Sequence, residues 1–286
     1  MTSYPDLPAG QPLVLFFHGN SFPASTYNVM LNALHQRGMK VQALEKIGHN
    51  PAYPVTSNWP HLVEEIHAFA KPLIAAHSGP VVLVGHSLGG MLSLMLAAQY
   101  PRLAHAVVMV DAPALGGLRA KALHLSKTLS LTSKISPGAI SRKRRNTWHS
   151  AEEVHAHFLS KKVFARWDPQ VLNDYVLYGT HEEKTDEGVQ RVLSFDRNIE
   201  TQIYNSVPHN LERLLKKYPL ACPVSLVAAR HSNEMRLAGF DFSQKVTKGR
   251  ICTIDGTHLV PMEKPMVTAA AIEASILNML STKSSK

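Results

Sequence analysis

Short apolar runs alternate along this chain with longer stretches in which apolar residues recur every three or four positions. The runs PLVLFF, MKVQALE, VVLV and HAVVMV fall before residue 112, while PVSLVAA begins at Pro223 and RICTID at Arg250. Uninterrupted runs rich in β-branched residues are what strands covered on both faces require. Between them, helical periodicity is expected from about 24 to 37, 61 to 77, 88 to 100 and 265 to 280. Gly38 and Pro101 stop two of these stretches.

Strands alternating with helices predict an α/β fold. The expected sheet is doubly wound and mostly parallel, with about six strands, because parallel neighbours need crossover helices of one hand. The alternation breaks after Asp111. Residues 112–220 read as several helices separated by Pro and Gly, with no strand expected, and a segment that long is not a bare loop. The organisation expected is a core of residues 1–111 and 221–286, with a helical cap, 112–220, inserted after the fourth strand.

Composition changes this picture little. With 45% hydrophobic residues in 286, one large core is affordable and no second domain is needed. No run approaches the roughly 20 apolar residues of a membrane-spanning helix. The N-terminal MTSYPDLPAG has no basic stretch leading into an apolar one, so a cytoplasmic protein is expected. Cys222 and Cys252, each beside a predicted core strand, are expected as buried reduced thiols.

Charge is less even. The net charge is +9, and Arg119 to Arg166 holds eleven Lys/Arg against Glu152 and Glu153, an excess of nine. The cluster Arg142-Lys143-Arg144-Arg145 lies in this stretch and is expected as a solvated loop face that can favour an anionic surface or substrate. No zinc-finger spacing or stacking-aromatic module accompanies it, so nucleic acid is not an expected partner. His155 and His157 fall on different sides of any helix they share, so no metal site is expected there, nor any cofactor.

Candidate chemistry begins at Gly85-His86-Ser87-Leu88-Gly89, which fits G-x-S-x-G between a buried strand and a helix. Glycines suit the flanking positions because the turn crowds them, and the turn lifts the serine hydroxyl above the sheet. The start of the next helix then lends positive potential to an oxyanion forming beside Ser87.

The chain thus resembles the α/β-hydrolase family over nearly its whole length. The likeness rests on His18-Gly19 after the first strand, GHSLGG after the third and Asp255-Gly256-Thr257-His258 after the last. It implies a compact, six-stranded member without the early antiparallel strands of larger ones. By the same resemblance, Ser87 is the nucleophile and His258 its general base. The backbone N–H groups of Asn20 and Leu88 form the oxyanion hole. His18 is read as bracing its loop rather than as a chemical group.

The expected acid departs from the family pattern. Members usually carry Asp or Glu in the turn after the penultimate strand, where this chain has Ser232. Asp111 is the acid expected, with Glu234 as the alternative. Asp111 ends the fourth strand, where some members take their acid, and a strand end is held rigidly. Glu234 lies two residues past the usual place and would have to swing inward. A dyad aided by water or Ser232 is the third arrangement.

These residues point to a serine hydrolase acting on a carboxylic ester of a small acyl substrate through an acyl-enzyme. Carbon–carbon, lactone and thioester hydrolysis are alternatives on the same residues, and a ligand-binding protein without turnover is another. An Asp nucleophile, as in dehalogenases and epoxide hydrolases, is not what stands at Ser87. Leu115, Leu118, Leu123, Leu125, Leu129 and Leu131, with Trp148, Phe158, Phe164 and Trp167, are available to line an acyl pocket, though most are expected to pack the cap onto itself.

Overall fold

A computed structural model describes residues 10–128, 141–186 and 188–281. Six strands form one sheet: β1 (Leu13–Phe17), β2 (Lys40–Ala43), β3 (Val81–His86), β4 (Ala106–Val110), β8 (Val224–Ala229) and β9 (Ile251–Ile254). Their order is β2-β1-β3-β4-β8-β9, and every pairing is parallel. The sheet grows from β1 outward to β2 and then reverses, adding β3 on the other side of β1, which makes it doubly wound.

Burial explains which runs became central strands. Every residue of β1, β3, β4 and β8 is buried, whereas the edge strands β2 and β9 hold only half-buried and exposed positions. Leu13, Leu15 and Phe17 join the core on one face, with helix α2 (Pro60–Ala75) and helix α3 (Leu88–Gln99). Val14 and Phe16 join the other, with helix α1 (Asn28–Gln36) and the C-terminal helix Pro265–Ser281. The edge position of β9 corrects one expectation: Cys222 is buried, but Cys252 is exposed, because the last strand has a neighbouring strand on one side only.

Between β4 and β8 lie helices Gly117–Thr128, Ala151–Leu159, Pro169–Tyr178, Arg197–Asn205 and Leu211–Lys217. Three strands accompany them, against the expectation of none. β5 (Thr147–Trp148), β6 (Thr180–Thr185) and β7 (Gly188–Leu193) form an antiparallel sheet in the order β5-β7-β6. All of β6 after Thr180 is exposed, so its sequence, THEEKT, lacks the apolar alternation that marks a half-buried strand. No helix among the described residues is long and apolar enough to cross a membrane.

Candidate active site

Ser87 stands between β3 and α3 with φ 52° and ψ −112°, a conformation that side-chain-bearing residues rarely adopt. The turn survives because backbone packs directly on backbone. A Cβ on Gly85 would collide with Gly89, and a Cβ on Gly89 would collide with the Phe17 carbonyl at the end of β1. The hydroxyl therefore sits beside the first turn of a buried helix, at its positive end.

Two other strand ends converge on it. His258, in the loop after β9, places Nε2 3.0 Å from Ser87 Oγ and Nδ1 2.7 Å from Asp111 Oδ2. Asp111 follows β4 and is wholly buried. Its second carboxylate oxygen accepts the Ala229 N–H at 2.7 Å, and its own N–H donates to the Val227 carbonyl at 2.8 Å. Both contacts tie it to β8, so the carboxylate has one orientation. Glu234 Oε2 lies 4.0 Å from the same His258 nitrogen, on a side chain that is 48% exposed. Ser232 is occupied otherwise: its hydroxyl accepts the Met235 N–H at 3.1 Å and caps the helix Asn233–Ala238.

The loop that carries His258 has a brace that the sequence did not single out. Thr257 donates its N–H and its hydroxyl to the two oxygens of Glu263, at 2.8 and 2.6 Å. Both residues flank His258 on short connections, so the loop is closed on itself.

The backbone N–H groups of Asn20 and Leu88 have no protein acceptor among the described residues. His18 sets the direction of the first. Its Nδ1–H donates to the Gly19 carbonyl at 2.8 Å, which also accepts the Phe22 N–H at 3.3 Å, while its Nε2 accepts the Ile47 N–H at 2.8 Å. The Gly19–Asn20 peptide is planar and trans, so holding its carbonyl aims the Asn20 N–H the opposite way. This needs a neutral imidazole, and burial pushes the His18 pKa down to about 4.

A buried polar network presses on the same loop. The Asn20 side-chain N–H donates to the Glu200 carbonyl at 3.0 Å, and the Ser21 hydroxyl donates to the Glu200 carboxylate. That carboxylate is paired with Arg144, whose other terminal nitrogen donates to the Tyr175 hydroxyl at 2.7 Å. Arg144 therefore departs from the expected solvated face of the basic cluster. Arg142 and Lys143 are exposed, and Arg145 pairs with Glu153 at 2.6 Å. No local pattern marks Glu200; only its partners, far away in sequence, give it meaning.

The aromatic residues expected in or around a pocket pack largely on one another. Phe158 lies 5.1 Å from Tyr175, and Phe164 lies 4.6 Å from Trp167, ring centre to ring centre. Phe22 joins them from the core loop, 5.5 Å from Trp167. Trp148 is buried in the same cluster, and Leu115 is half-buried. Leu118 and Leu125 are exposed. Leu129, Leu131 and the side chain of Leu123 lie outside the described residues. Among the described residues, no three His, Cys, Asp or Glu side chains are grouped to hold a metal ion.

A family model described as the alpha/beta hydrolase family matches residues 14–271. Lipase LipV of Mycobacterium tuberculosis is 33% identical over 115 residues, 40% of this chain and 42% of the relative. The 2-(acetamidomethylene)succinate hydrolase of Mesorhizobium japonicum is 32% identical over 104 residues, 35% of each chain. The matches thus span 35–42% of the length of these two curated relatives. A crystal structure of E-2-(acetamidomethylene)succinate hydrolase superposes with a TM-score of 0.67 at 21% identity, covering 93% of this chain and 92% of the other. At that identity the likeness is one of fold.

Proposed function

This chain belongs to the alpha/beta hydrolase family, and on that premise we propose that it is a serine hydrolase cleaving a carboxylic ester of a small acyl substrate. One observation carries the reading: the hydrogen-bonded line from Ser87 Oγ through both nitrogens of His258 to the buried Asp111 carboxylate, at 3.0 and 2.7 Å. Asp111 can only accept from Nδ1–H, which leaves Nε2 unprotonated and facing the serine hydroxyl.

In this reading His258 takes the Ser87 proton as Oγ attacks the acyl carbonyl, and Asp111 steadies the imidazolium that forms. The Asn20 and Leu88 N–H groups receive the carbonyl oxygen as it becomes negative, each worth about 3–4 kcal/mol of barrier. Collapse expels the alcohol, which takes its proton from His258. Water then repeats the sequence on the acyl-enzyme and frees the acid. Residues 112–220 act as a cap on the core of 1–111 and 221–286. The Arg144–Glu200–Tyr175 network, which reaches Asn20 and Ser21, supports that division.

The test is hydrolysis of chromogenic esters of increasing acyl length by wild type and Ser87→Ala, with fluorophosphonate labelling in parallel. Turnover that disappears in Ser87→Ala, with wild type labelled at Ser87, is the expected result. Absence of both turnover and labelling would sink the proposal. Labelling without turnover would keep the nucleophile and reject simple esters as substrates.

A further inference from the structure

His86, the residue before the nucleophile, is buried and faces neither Ser87's partner nitrogen nor solvent with a free atom. Its Nε2 lies 2.9 Å from the His258 backbone carbonyl, and its Nδ1 lies 2.8 Å from the Tyr27 hydroxyl. That hydroxyl also receives the Gly19 N–H at 2.9 Å. The direction of every bond in this chain follows from chemistry. A carbonyl only accepts, so Nε2 carries the imidazole proton and donates to His258. In a neutral ring Nδ1 is then an acceptor, so Tyr27 donates its hydroxyl proton to it. The hydroxyl oxygen remains to accept the Gly19 N–H. No donor or acceptor is left over.

Three strand ends meet on these two side chains. Gly19 follows β1 and precedes Asn20; His86 ends β3 and precedes Ser87; His258 follows β9. Gly19 must be glycine for the pair to approach, since a Cβ there would stand 2.7 Å from His86 Nδ1 and 3.0 Å from the Tyr27 hydroxyl. Tyr27 is fixed from behind by Phe16, with ring centres 4.8 Å apart. Burial, then the neighbouring His258, pushes the His86 pKa down to about 3, which keeps the ring neutral as the bonding pattern requires.

We propose that Tyr27 and His86 form a positioning relay that locks the oxyanion loop at Gly19 to the backbone of His258, so that the donor and the base keep a fixed relation to Ser87. The relay rests on the serine-hydrolase reading. Neither side chain touches substrate; both act through the groups they hold.

Its test has one readout for the relay and one for its effect. In 15N-histidine NMR of the full chain, His86 is expected as the neutral Nε2–H tautomer across about pH 5–8. An Nδ1–H tautomer overturns the proposal whatever the activity. Tyr27→Phe is expected to slow fluorophosphonate labelling of Ser87 by about tenfold or more and to lower kcat on the preferred ester, with KM within about twofold. His86→Gln keeps a donor toward His258, so its kcat is expected to lie above that of His86→Leu. Tyr27→Phe combined with His86→Gln is expected to be no slower than the worse single variant, because both break one chain. Melting temperatures identify any variant that fails to fold, and the tautomer then decides. Labelling in Tyr27→Phe at the wild-type rate overturns the relay while leaving the hydrolase reading intact. Absence of labelling in wild type overturns that reading, and the relay's role falls with it.

Discussion

Arg144 and Glu200 meet as a partly buried ion pair, with Nη1 of the arginine 3.1 Å from both carboxylate oxygens, 4% of the Glu200 side chain exposed and 20% of the Arg144 side chain exposed. The pair is enclosed by Tyr175 and by Ser21 of the loop after β1. Removing Arg144 leaves the buried Glu200 carboxylate without its charge partner. Arg144→Met is therefore expected to cost about 3–5 kcal/mol in urea unfolding. Arg144→Met with Glu200→Leu is expected to recover much of that loss, since no charge is then left unpaired. Equal costs for the single and double variants would refute this account.

The two carboxylates near His258 are expected to differ sharply. Asp111 is buried and hydrogen-bonded to Nδ1, while Glu234 stands 4.0 Å away and half-exposed. Asp111→Asn is expected to reduce turnover on the order of 10³–10⁴-fold, because an amide no longer enforces the Nδ1–H tautomer. Glu234→Gln is expected to change it by about fivefold at most, as solvent screens an exposed pair. Steady-state rates on one ester decide between them, and the opposite ranking would make Glu234 the acid.

Two glycines are expected to tolerate a side chain to very different degrees. At Gly89 a methyl group would strike the Phe17 carbonyl, so Gly89→Ala is expected to yield no soluble folded protein. At Gly38 nothing lies within 4 Å, but φ is +84°. Gly38→Ala is expected to fold with about 1–2 kcal/mol less stability and unchanged Ser87 labelling. Soluble yield and urea midpoints check both.

Stability is expected to fall on acidification below neutral. Burial holds His18 at about 4 and, together with nearby His258, His86 at about 3, each from 6.5. The unfolded chain binds protons that these folded residues refuse, so their contribution is complete above 6.5 and is lost as pH falls. Glu65 opposes them. Burial raises its pKa from 4.5 to about 7 against the Gly48 and Asn50 N–H groups, so its contribution is complete below 4.5 and is lost as pH rises through about 7. Between 4.5 and 6.5 two histidines outweigh one glutamate. Glu65→Gln is expected to steepen the decline in urea midpoint between about pH 6.5 and about pH 5, and a shallower decline would contradict the assignment.

By itself the sequence determined the sheet and the turn at Ser87, because their signals are local. A strand buried on both faces must be apolar throughout, as LVLFF and VVLVGH largely are, and the strained turn at Ser87 admits glycine at Gly85 and Gly89. Cys252 was misjudged because an apolar run does not say whether its strand is central or at an edge. The strands β6 and β7 were missed because their exposed faces carry no apolar rhythm. Only the tertiary structure gives Asp111 and Glu234 their different burial and distance to one imidazole nitrogen, because the sequence places both near the same sheet edge without showing how far each reaches. It alone could turn Arg144 from a surface cation into the partner of Glu200, and His86 from a motif filler into a bridge. Those decisions depend on which distant groups share a site without water, and a desolvated hydrogen bond leaves no mark on its neighbours in the chain.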